Sequence, residues 1–259
     1  MFSKSARWYD ALYAFKDYPQ EAERLMRTLA NEQIPLRVPE AGPAARTLLD
    51  VACGTAEHDR FLAGCYQVDG LDINPEFIEI AARKNPQCHY FVADMTDFAL
   101  GKTYDIILCL FSSIGYVRTL ENVVKTLRGF EAHLAAGGIL LVEPWFTPQT
   151  WKPHTSVHML TAETAEGKVC RMNVSGQEGS MSIIDFHYLV GTPEGVTHFT
   201  ERHELGLFTV EEMLGAFKEA GLAVKYDPEG LDGRGLYLAR RSPPDIDAVP
   251  YQPPLLIRQ

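Results

Sequence analysis

Three acidic residues follow short apolar stretches at intervals that suit the binding of a nucleoside. Asp50 opens a small-residue segment, residues 50–56, and Asp72 and Asp94 each stand at the end of a later apolar stretch. An acid about 20 residues beyond a glycine turn can accept hydrogen bonds from both ribose hydroxyls of an adenosine. Small residues in the turn let the backbone approach a ligand closely. Asp94 and the adjacent Met95 could meet the adenine amino group and ring.

The elements that must position these residues form an alternating pattern. Apolar segments typical of buried strands alternate with helical segments over residues 46–143. The alternation predicts right-handed crossovers and an α/β fold with a doubly wound, mostly parallel sheet, whose ligands bind at the carboxyl ends of the strands. The predicted strands are residues 47–51, 66–73, 88–93, 104–110 and 139–143, and the predicted helices are residues 58–63, 75–84 and 120–134, the last stopped by Gly137-Gly138.

Further segments are predicted on either side of this core. In the first of them, Asp17 can cap a helix and Pro19 suits its first turn. Beyond the core, residues 169–175, 181–190 and 197–204 alternate apolar and polar side chains between glycine-containing turns, which predicts an antiparallel β insertion with these three strands. The segments are an N-terminal helical lid (1–45), the cofactor-binding core (46–143), the insertion on the acceptor side (144–205), a helix and strand pair that complete the core (206–241) and a Pro-rich tail (242–259).

Composition and charge disfavour several other classes of function. The chain has 24 Lys and Arg against 34 Asp and Glu, and the net charge of −10 argues against a nucleic-acid partner. The 5 cysteines form no CxxC pair, so we expect free thiols in a reducing cytoplasm. No segment approaches the roughly 20 apolar residues that span a bilayer, and we expect no membrane partner. His133, His154 and His158 lack the spacing of a metal site, so no metal is expected.

Residues 50–55, Asp-Val-Ala-Cys-Gly-Thr, resemble the nucleotide-binding motif of class I S-adenosylmethionine-dependent methyltransferases, whose fold is Rossmann-like. Motifs outside the core are similar to those of the sugar N,N-dimethyltransferases of macrolide biosynthesis, up to residue 240. Those enzymes methylate the amino group of a nucleotide-linked amino-deoxysugar, and the resemblance implies this activity. The motifs are Lys16-Asp17-Tyr18 with Glu21-Ala22, Phe111-Ser112-Ser113-Ile114-Gly115-Tyr116, Glu143-Pro144-Trp145 and Gly233-Arg234-Gly235-Leu236.

The resemblance also assigns residues to S-adenosyl-L-methionine and to the methyl acceptor. Arg234 would meet a diphosphate, because a planar guanidinium suits phosphate oxygens. Tyr116 or His187 is the candidate catalytic base, if one is needed. The cofactor-binding residues would be Tyr18, Asp50, Ala52, Cys53, Gly54, Thr55, Ala56, His58, Asp72, Ile73, Asp94, Met95, Phe111 and Ser112. The substrate-binding residues would be Tyr13, Tyr116, Trp145, His187 and Arg234.

One departure from the family pattern and several alternatives accompany this interpretation. Ala56 replaces the second glycine of the turn, which is tolerable if its φ is negative. The acceptor could instead be another small-molecule amine, hydroxyl or carboxylate, or the chain could bind the donor without catalysis. An NAD-dependent oxidoreductase wants a G-x-G-x-x-G turn, which the single Gly54 disfavours. The expected partner is a small-molecule substrate, with a second copy in a homodimer left open.

Overall fold

The computed structural model describes residues 2, 4–34, 46–154 and 157–242. Residues 35–45 of the predicted helical lid and the Pro-rich tail beyond residue 242 lie outside these residues. Within the described ranges, no helix combines the length and the apolar character that crossing a membrane requires.

A seven-stranded sheet forms the centre of the molecule. The strands of the protein are β1 (Thr47–Val51), β2 (Gln67–Asp72), β3 (His89–Val92), β4 (Tyr104–Cys109), β5 (Leu134–Val142), β6 (His158–Thr164), β7 (Gly167–Glu178), β8 (Met181–Thr192), β9 (Gly195–Gly206), β10 (Leu222–Asp227) and β11 (Leu236–Arg241). The strand order in the central sheet is β10-β11-β5-β4-β1-β2-β3, and β5, β4, β1, β2 and β3 run parallel to their neighbours in this series. Strand β11 pairs antiparallel with both β5 and β10. The mostly parallel α/β sheet is therefore confirmed.

Helices cover both faces of this sheet, and those of ten or more residues begin at a side chain that caps the first turn. The Asp17 carboxylate accepts the Gln20 N–H at 3.0 Å, as the sequence predicted, and the Asn74 side chain accepts the Glu76 N–H at 3.0 Å. Each cap satisfies an amide that has no partner within its helix. The helices are α1 (Tyr9–Leu12), α2 (Tyr18–Asn31), α3 (Asp59–Leu62), α4 (Pro75–Lys84), α5 (Leu120–His133) and α6 (Val210–Glu219).

The Gly137-Gly138 pair lies inside a strand rather than at a helix end. Helix α5 ends at His133, and β5 begins at the next residue. The pairing with β4 shifts register between Tyr104 and Ile106, where Gly137 adopts a φ of +76°. The predicted helix stop is therefore wrong, because this glycine accommodates an irregularity within the sheet.

A second, four-stranded sheet confirms the predicted antiparallel insertion. Its order is β6-β7-β8-β9, and sequence analysis missed its first strand. One face packs against the N-terminal segment, where Trp8 and Leu12 contact Phe186, Tyr188 and neighbouring apolar residues. The strands' alternation directs this face toward the central sheet and leaves the opposite face exposed.

Candidate functional site

A cavity of about 410 Å³ lies between the carboxyl ends of the central strands, the N-terminal segment and the inner face of the insertion. It brings together residues from opposite ends of the chain. The predicted site residues that line it are Tyr13, Ala52, Gly54, Asp72, Ile73, Asp94, Met95, Phe111, Tyr116, Trp145 and Arg234. The predicted residues that are not part of this lining are Tyr18, Asp50, Cys53, Thr55, Ala56, His58, Ser112 and His187.

Asp72 is a buried carboxylate on the donor side of the cavity, the part at the carboxyl ends of β1, β2 and β3. It is only 8% exposed, and its two carboxylate oxygens accept the Gly54 N–H at 3.0 Å and the Asn74 N–H at 2.8 Å. Burial raises the pKa of Asp72 above its ordinary value. Next to it, Ile73 remains 46% exposed, an apolar surface on which a flat ring can lie. A carboxylate beside an open apolar side chain fits the ribose and adenine of S-adenosylmethionine.

The turn after β1 has three residues in the left-handed backbone region. Ala52, Gly54 and Ala56 have φ values of +59°, +57° and +59°. The condition for an unstrained Ala56, a negative φ, is therefore not met. Alanine is strained in this region because its Cβ crowds the backbone, whereas glycine is not. The turn is held in place by the Cys53 N–H, which donates to the Leu71 carbonyl at 3.0 Å.

Asp50 supports this turn from beneath instead of facing the cavity. It is 3% exposed, and its carboxyl lies against that of the fully buried Asp59, whose carboxylate accepts the Tyr90 hydroxyl at 2.9 Å. Burial raises the pKa of Asp50 well above its ordinary value and that of Asp59 to about 7. The two acids therefore share a proton near neutral pH, since two buried carboxylates in contact cannot both ionise.

The N-terminal segment is fastened to the donor side at several points. The Thr55 hydroxyl donates to Asp10 at 2.5 Å, and the Asp10 carboxylate also pairs with Lys84 at 2.7 Å. The Asn74 side-chain amide donates to the Phe2 carbonyl at 2.9 Å. Thr55, assigned to the donor from sequence, instead holds the segment that covers the cavity.

Tyr18 and His58 also connect the N-terminal segment to the core. Their rings meet edge to face at 5.1 Å, and His58 Nε2 lies 2.9 Å from a Glu21 carboxylate oxygen. Glu21 is paired with Lys16 as well, at 3.1 Å, and these partners lower its pKa against the opposing effect of burial. The two predicted donor residues thus lie in a polar cluster at the edge of the site.

Phe111 and Ser112 form a strained turn between the two halves of the cavity. Both are left-handed, with φ values of +51° and +61°. The Phe111 N–H donates to Glu143 at 2.6 Å, and the buried Ser112 hydroxyl donates to the Pro144 carbonyl at 2.6 Å. Burial raises the pKa of Glu143 to about 7. These bonds fix the turn, so that Phe111 faces the cavity while Ser112 lies behind it.

Arg234 lines the cavity, but much of its guanidinium is already engaged. Its Nε–H donates to Asp232 at 3.0 Å, a second N–H donates to the same carboxylate, and a third reaches the Ser112 hydroxyl at 3.1 Å. Glu143 lies 3.9 Å away. Since arginine carries five N–H donors, the others can still meet a ligand.

The acceptor side of the cavity is largely aromatic. Tyr13 packs edge to face on Phe111 at 5.6 Å, and its hydroxyl accepts a bond from the buried Arg171 at 3.1 Å. The Trp145 indole N–H donates to the Ser182 hydroxyl at 2.8 Å. The Tyr116 hydroxyl lies 2.7 Å from the Nδ1 atom of His203. Sequence analysis missed His203 and Arg171, because single residues within alternating strands carry no spacing signal.

His187 does not belong to this site. It lies on the exposed face of β8, where its ring stacks on His198 at 5.7 Å. Its strand neighbours Phe186 and Tyr188 point inward, and alternation along the strand directs His187 outward. The prediction of a catalytic and substrate-binding role for His187 is wrong. In the part of the chain that the structure describes, no group of three or more His, Cys, Asp or Glu residues could hold a metal ion.

Comparisons with known proteins agree with this geometry. Residues 48–138 match the family model described as a methyltransferase domain. The chain is 38% identical to the dTDP-3-amino-3,6-dideoxy-alpha-D-glucopyranose N,N-dimethyltransferase of Streptomyces fradiae, over 90% of this chain and 89% of that one. It is 35% identical to the dTDP-4-amino-2,3,4,6-tetradeoxy-D-glucose N,N-dimethyltransferase of Saccharopolyspora spinosa, over 90% and 91%.

Solved structures show the same relationship. A sugar N-methyltransferase from Streptoalloteichus superposes with a TM-score of 0.81 at 32% identity and covers 91% of this chain and 93% of its own. An amino pentose methyltransferase from Micromonospora echinaspora, solved with S-adenosylmethionine bound, has a TM-score of 0.76 at 30% identity, with coverages of 90% and 96%. The chain therefore belongs to the class I S-adenosylmethionine-dependent methyltransferases, in the group of sugar N-methyltransferases.

Proposed function

We propose that this enzyme transfers a methyl group from S-adenosylmethionine to the amino group of a nucleotide-linked amino-deoxysugar. The observation that carries the proposal is the continuity of one cavity from Asp72, on the donor side, to Tyr116 and Trp145, on the acceptor side. The relatives named for dTDP-linked amino sugars support the choice of acceptor. The N–H groups of Arg234 that Asp232 and Ser112 do not use would meet the diphosphate.

Bound S-adenosylmethionine supplies an activated methyl group on a sulfonium, so the residues of the chain have little covalent chemistry to do. Asp72 would hold the ribose, while Ile73 and Met95 would lie against the adenine. Phe111 and Tyr13 would bring the amine nitrogen into line with the methyl carbon and exclude water from the reacting atoms. The nitrogen lone pair forms the new bond, and the electron pair of the broken carbon–sulfur bond stays with sulfur.

Tyr116 is suited to orient the amine rather than to deprotonate it. Burial raises the pKa of Tyr116 far above its ordinary value, so the side chain stays a neutral phenol at physiological pH. The attacking amine can lose its proton to solvent before it binds. The product ammonium can likewise release its extra proton to water after the site opens, and a dedicated base is not required.

The N-terminal segment would act as a lid over both substrates. Phe2, Tyr9 and Tyr13 line the cavity, and the segment is hydrogen-bonded to Asn74, which caps α4, and to Glu201 of the insertion. Substrate entry would therefore require these bonds to break. A homodimer and a cytoplasmic location remain predictions, and light scattering of the purified protein would measure the assembly.

The experiment is incubation of the purified protein with S-adenosylmethionine and dTDP-3-amino-3,6-dideoxyglucose, followed by mass spectrometry. A product heavier by one or two methyl groups is expected. The matched control is the same nucleotide sugar with a hydroxyl in place of the amine, which should stay unmodified. Methylation of the control, or binding of S-adenosylhomocysteine without any product, would contradict the proposed acceptor.

A further inference from the structure

A buried histidine stands directly behind the Tyr116 hydroxyl. His203, in β9, is 1% exposed, and its Nδ1 atom lies 2.7 Å from Tyr116 Oη. Its Nε2 atom has no hydrogen-bond partner among the residues that the structure describes, and it lies 4.0 Å from a Glu201 carboxylate oxygen. The rings of Phe2 and Phe186 pack against the imidazole, with centroids 4.5 and 4.8 Å away. These apolar neighbours offer the two ring nitrogens of His203 few hydrogen-bond partners.

Glu201 is a fixed negative charge beside this histidine. Its carboxylate accepts the Lys4 N–H at 2.7 Å, the Ser5 N–H at 3.3 Å and the Ser5 hydroxyl at 2.6 Å. These bonds, with His203, lower the pKa of Glu201 to about 2 despite burial. Burial in turn lowers the pKa of His203, so the imidazole is neutral and carries a single N–H.

The charge on Glu201 selects the tautomer of His203. A proton on Nε2 points toward the carboxylate and is attracted by it. A proton on Nδ1 would instead leave the Nε2 lone pair facing a negative charge in a medium that screens poorly. With the proton on Nε2, the Nδ1 atom is an acceptor, and Tyr116 is the group that donates to it.

We propose that His203 is a positioning residue that turns the Tyr116 O–H away from the cavity, so that the phenol oxygen accepts a hydrogen bond from the substrate amine. This inference rests on the proposed function. As the new nitrogen–carbon bond forms, positive charge builds on the nitrogen and its N–H becomes a stronger donor. An acceptor fixed at that point is therefore worth more in the transition state than in the bound substrate.

The alternative orientation would work against the reaction. A Tyr116 hydroxyl that donated into the cavity would bond to the lone pair of the amine, which is the electron pair that must attack the methyl group. His203 removes this competition because its Nδ1 atom accepts the hydrogen bond of the Tyr116 hydroxyl. We therefore expect His203 to raise kcat and to have little effect on binding of the methyl donor.

The first test compares three replacements of His203 in the full chain, assayed with dTDP-3-amino-3,6-dideoxyglucose. His203→Asn keeps an acceptor near the position of Nδ1 and should retain most of the kcat. His203→Gln and His203→Leu, which lack one there, should lower kcat about tenfold, the worth of one well-placed hydrogen bond. Affinity for S-adenosylhomocysteine, measured by titration calorimetry, should stay unchanged in all three and reports intact folding. His187→Leu is the matched control, since His187 is exposed on the adjacent strand.

A double-mutant cycle with Tyr116→Phe separates this role from a structural one. If His203 acts through the Tyr116 hydroxyl, adding His203→Leu to Tyr116→Phe should lower kcat no further. Additive losses, or equal activity of the Asn, Gln and Leu variants, would overturn the inference. Failure of the proposed function is a different result, because the wild-type enzyme itself would then leave the amino sugar unmethylated.

Discussion

The donor and acceptor sides of the cavity are built in different ways. The donor side comes from the ends of β1, β2 and β3, within residues 50–95, and its main carboxylate is held by neighbouring backbone amides. The acceptor side combines the N-terminal segment, the turn after β4, the insertion and the turn before β11. A local motif can therefore specify the cofactor, whereas the acceptor depends on contacts between residues far apart in the sequence.

The largest expected effect is on the donor side, from Asp72→Ala. The change removes the acceptor for the ribose hydroxyls and leaves the Gly54 and Asn74 amides without their partner. We expect affinity for S-adenosylhomocysteine to fall about 100-fold, since hydrogen bonds to a charged group contribute about 1.5–3 kcal/mol each. Titration calorimetry measures this. Asp94→Ala, at an exposed acid of the same cavity, should cost only a few-fold, and equal losses would contradict the leading role of Asp72.

A smaller effect is expected at the turn that joins the two sides. Glu143→Ala leaves the Phe111 N–H unpaired and should lower kcat about tenfold, because the strained turn loses its anchor. Glu143→Gln keeps an oxygen that can accept this N–H and should retain most of the activity. Steady-state kinetics on both variants measures the difference. Similar kcat values for Ala and Gln would show that the Phe111 bond is not what Glu143 contributes.

The shared proton beneath the donor turn predicts a pH dependence of stability. Asp59 has a pKa of about 7 in the folded protein against about 4 unfolded, so its contribution to stability falls as pH rises from about 4 to about 7. Asp50→Asn places an amide donor next to Asp59, which favours the charged form and should flatten this fall. Thermal melts at about pH 5 and about pH 8 measure the slope.

The matched control for this slope is Asp94→Asn, which neutralises an exposed acid instead of a buried one. It should leave the change in Tm between the two pH values as in the wild type. A slope that is the same in Asp50→Asn as in the wild type would mean that the buried pair does not govern stability in this window.

The smallest effect is expected at Ala56, where the family pattern has glycine. Ala56→Gly relieves the strain of a left-handed alanine and should stabilise the fold by about 0.5 kcal/mol, after the greater freedom of glycine in the unfolded chain is deducted. Ala81→Gly, in the right-handed backbone of α4, should instead destabilise by about 1 kcal/mol. Urea unfolding of both variants measures the difference in the free energy of unfolding. If Ala56→Gly lowered this free energy, Ala56 would not be strained.

Local patterns predicted much of the fold and the donor side. The apolar segments around Asp50 and Asp72 end where the strands end, because strand length and the following turn are set by nearby residues. The helix stop at Gly137-Gly138 failed because the register of β5 depends on its pairing with β4. His187 was misassigned for a related reason: which face of β8 packs inward depends on the N-terminal segment, more than 150 residues away.

The anchoring of the N-terminal segment gives the protein an intrinsic optical signal. Trp8 is 1% exposed and packs against the inner face of the insertion, whereas Trp145, on the acceptor side of the cavity, packs against Trp151 with ring centroids 5.7 Å apart. Movement of the segment away from the cavity would transfer the Trp8 indole into water and shift its fluorescence emission to longer wavelength. Stopped-flow fluorescence could therefore follow closure over the substrates without an attached dye.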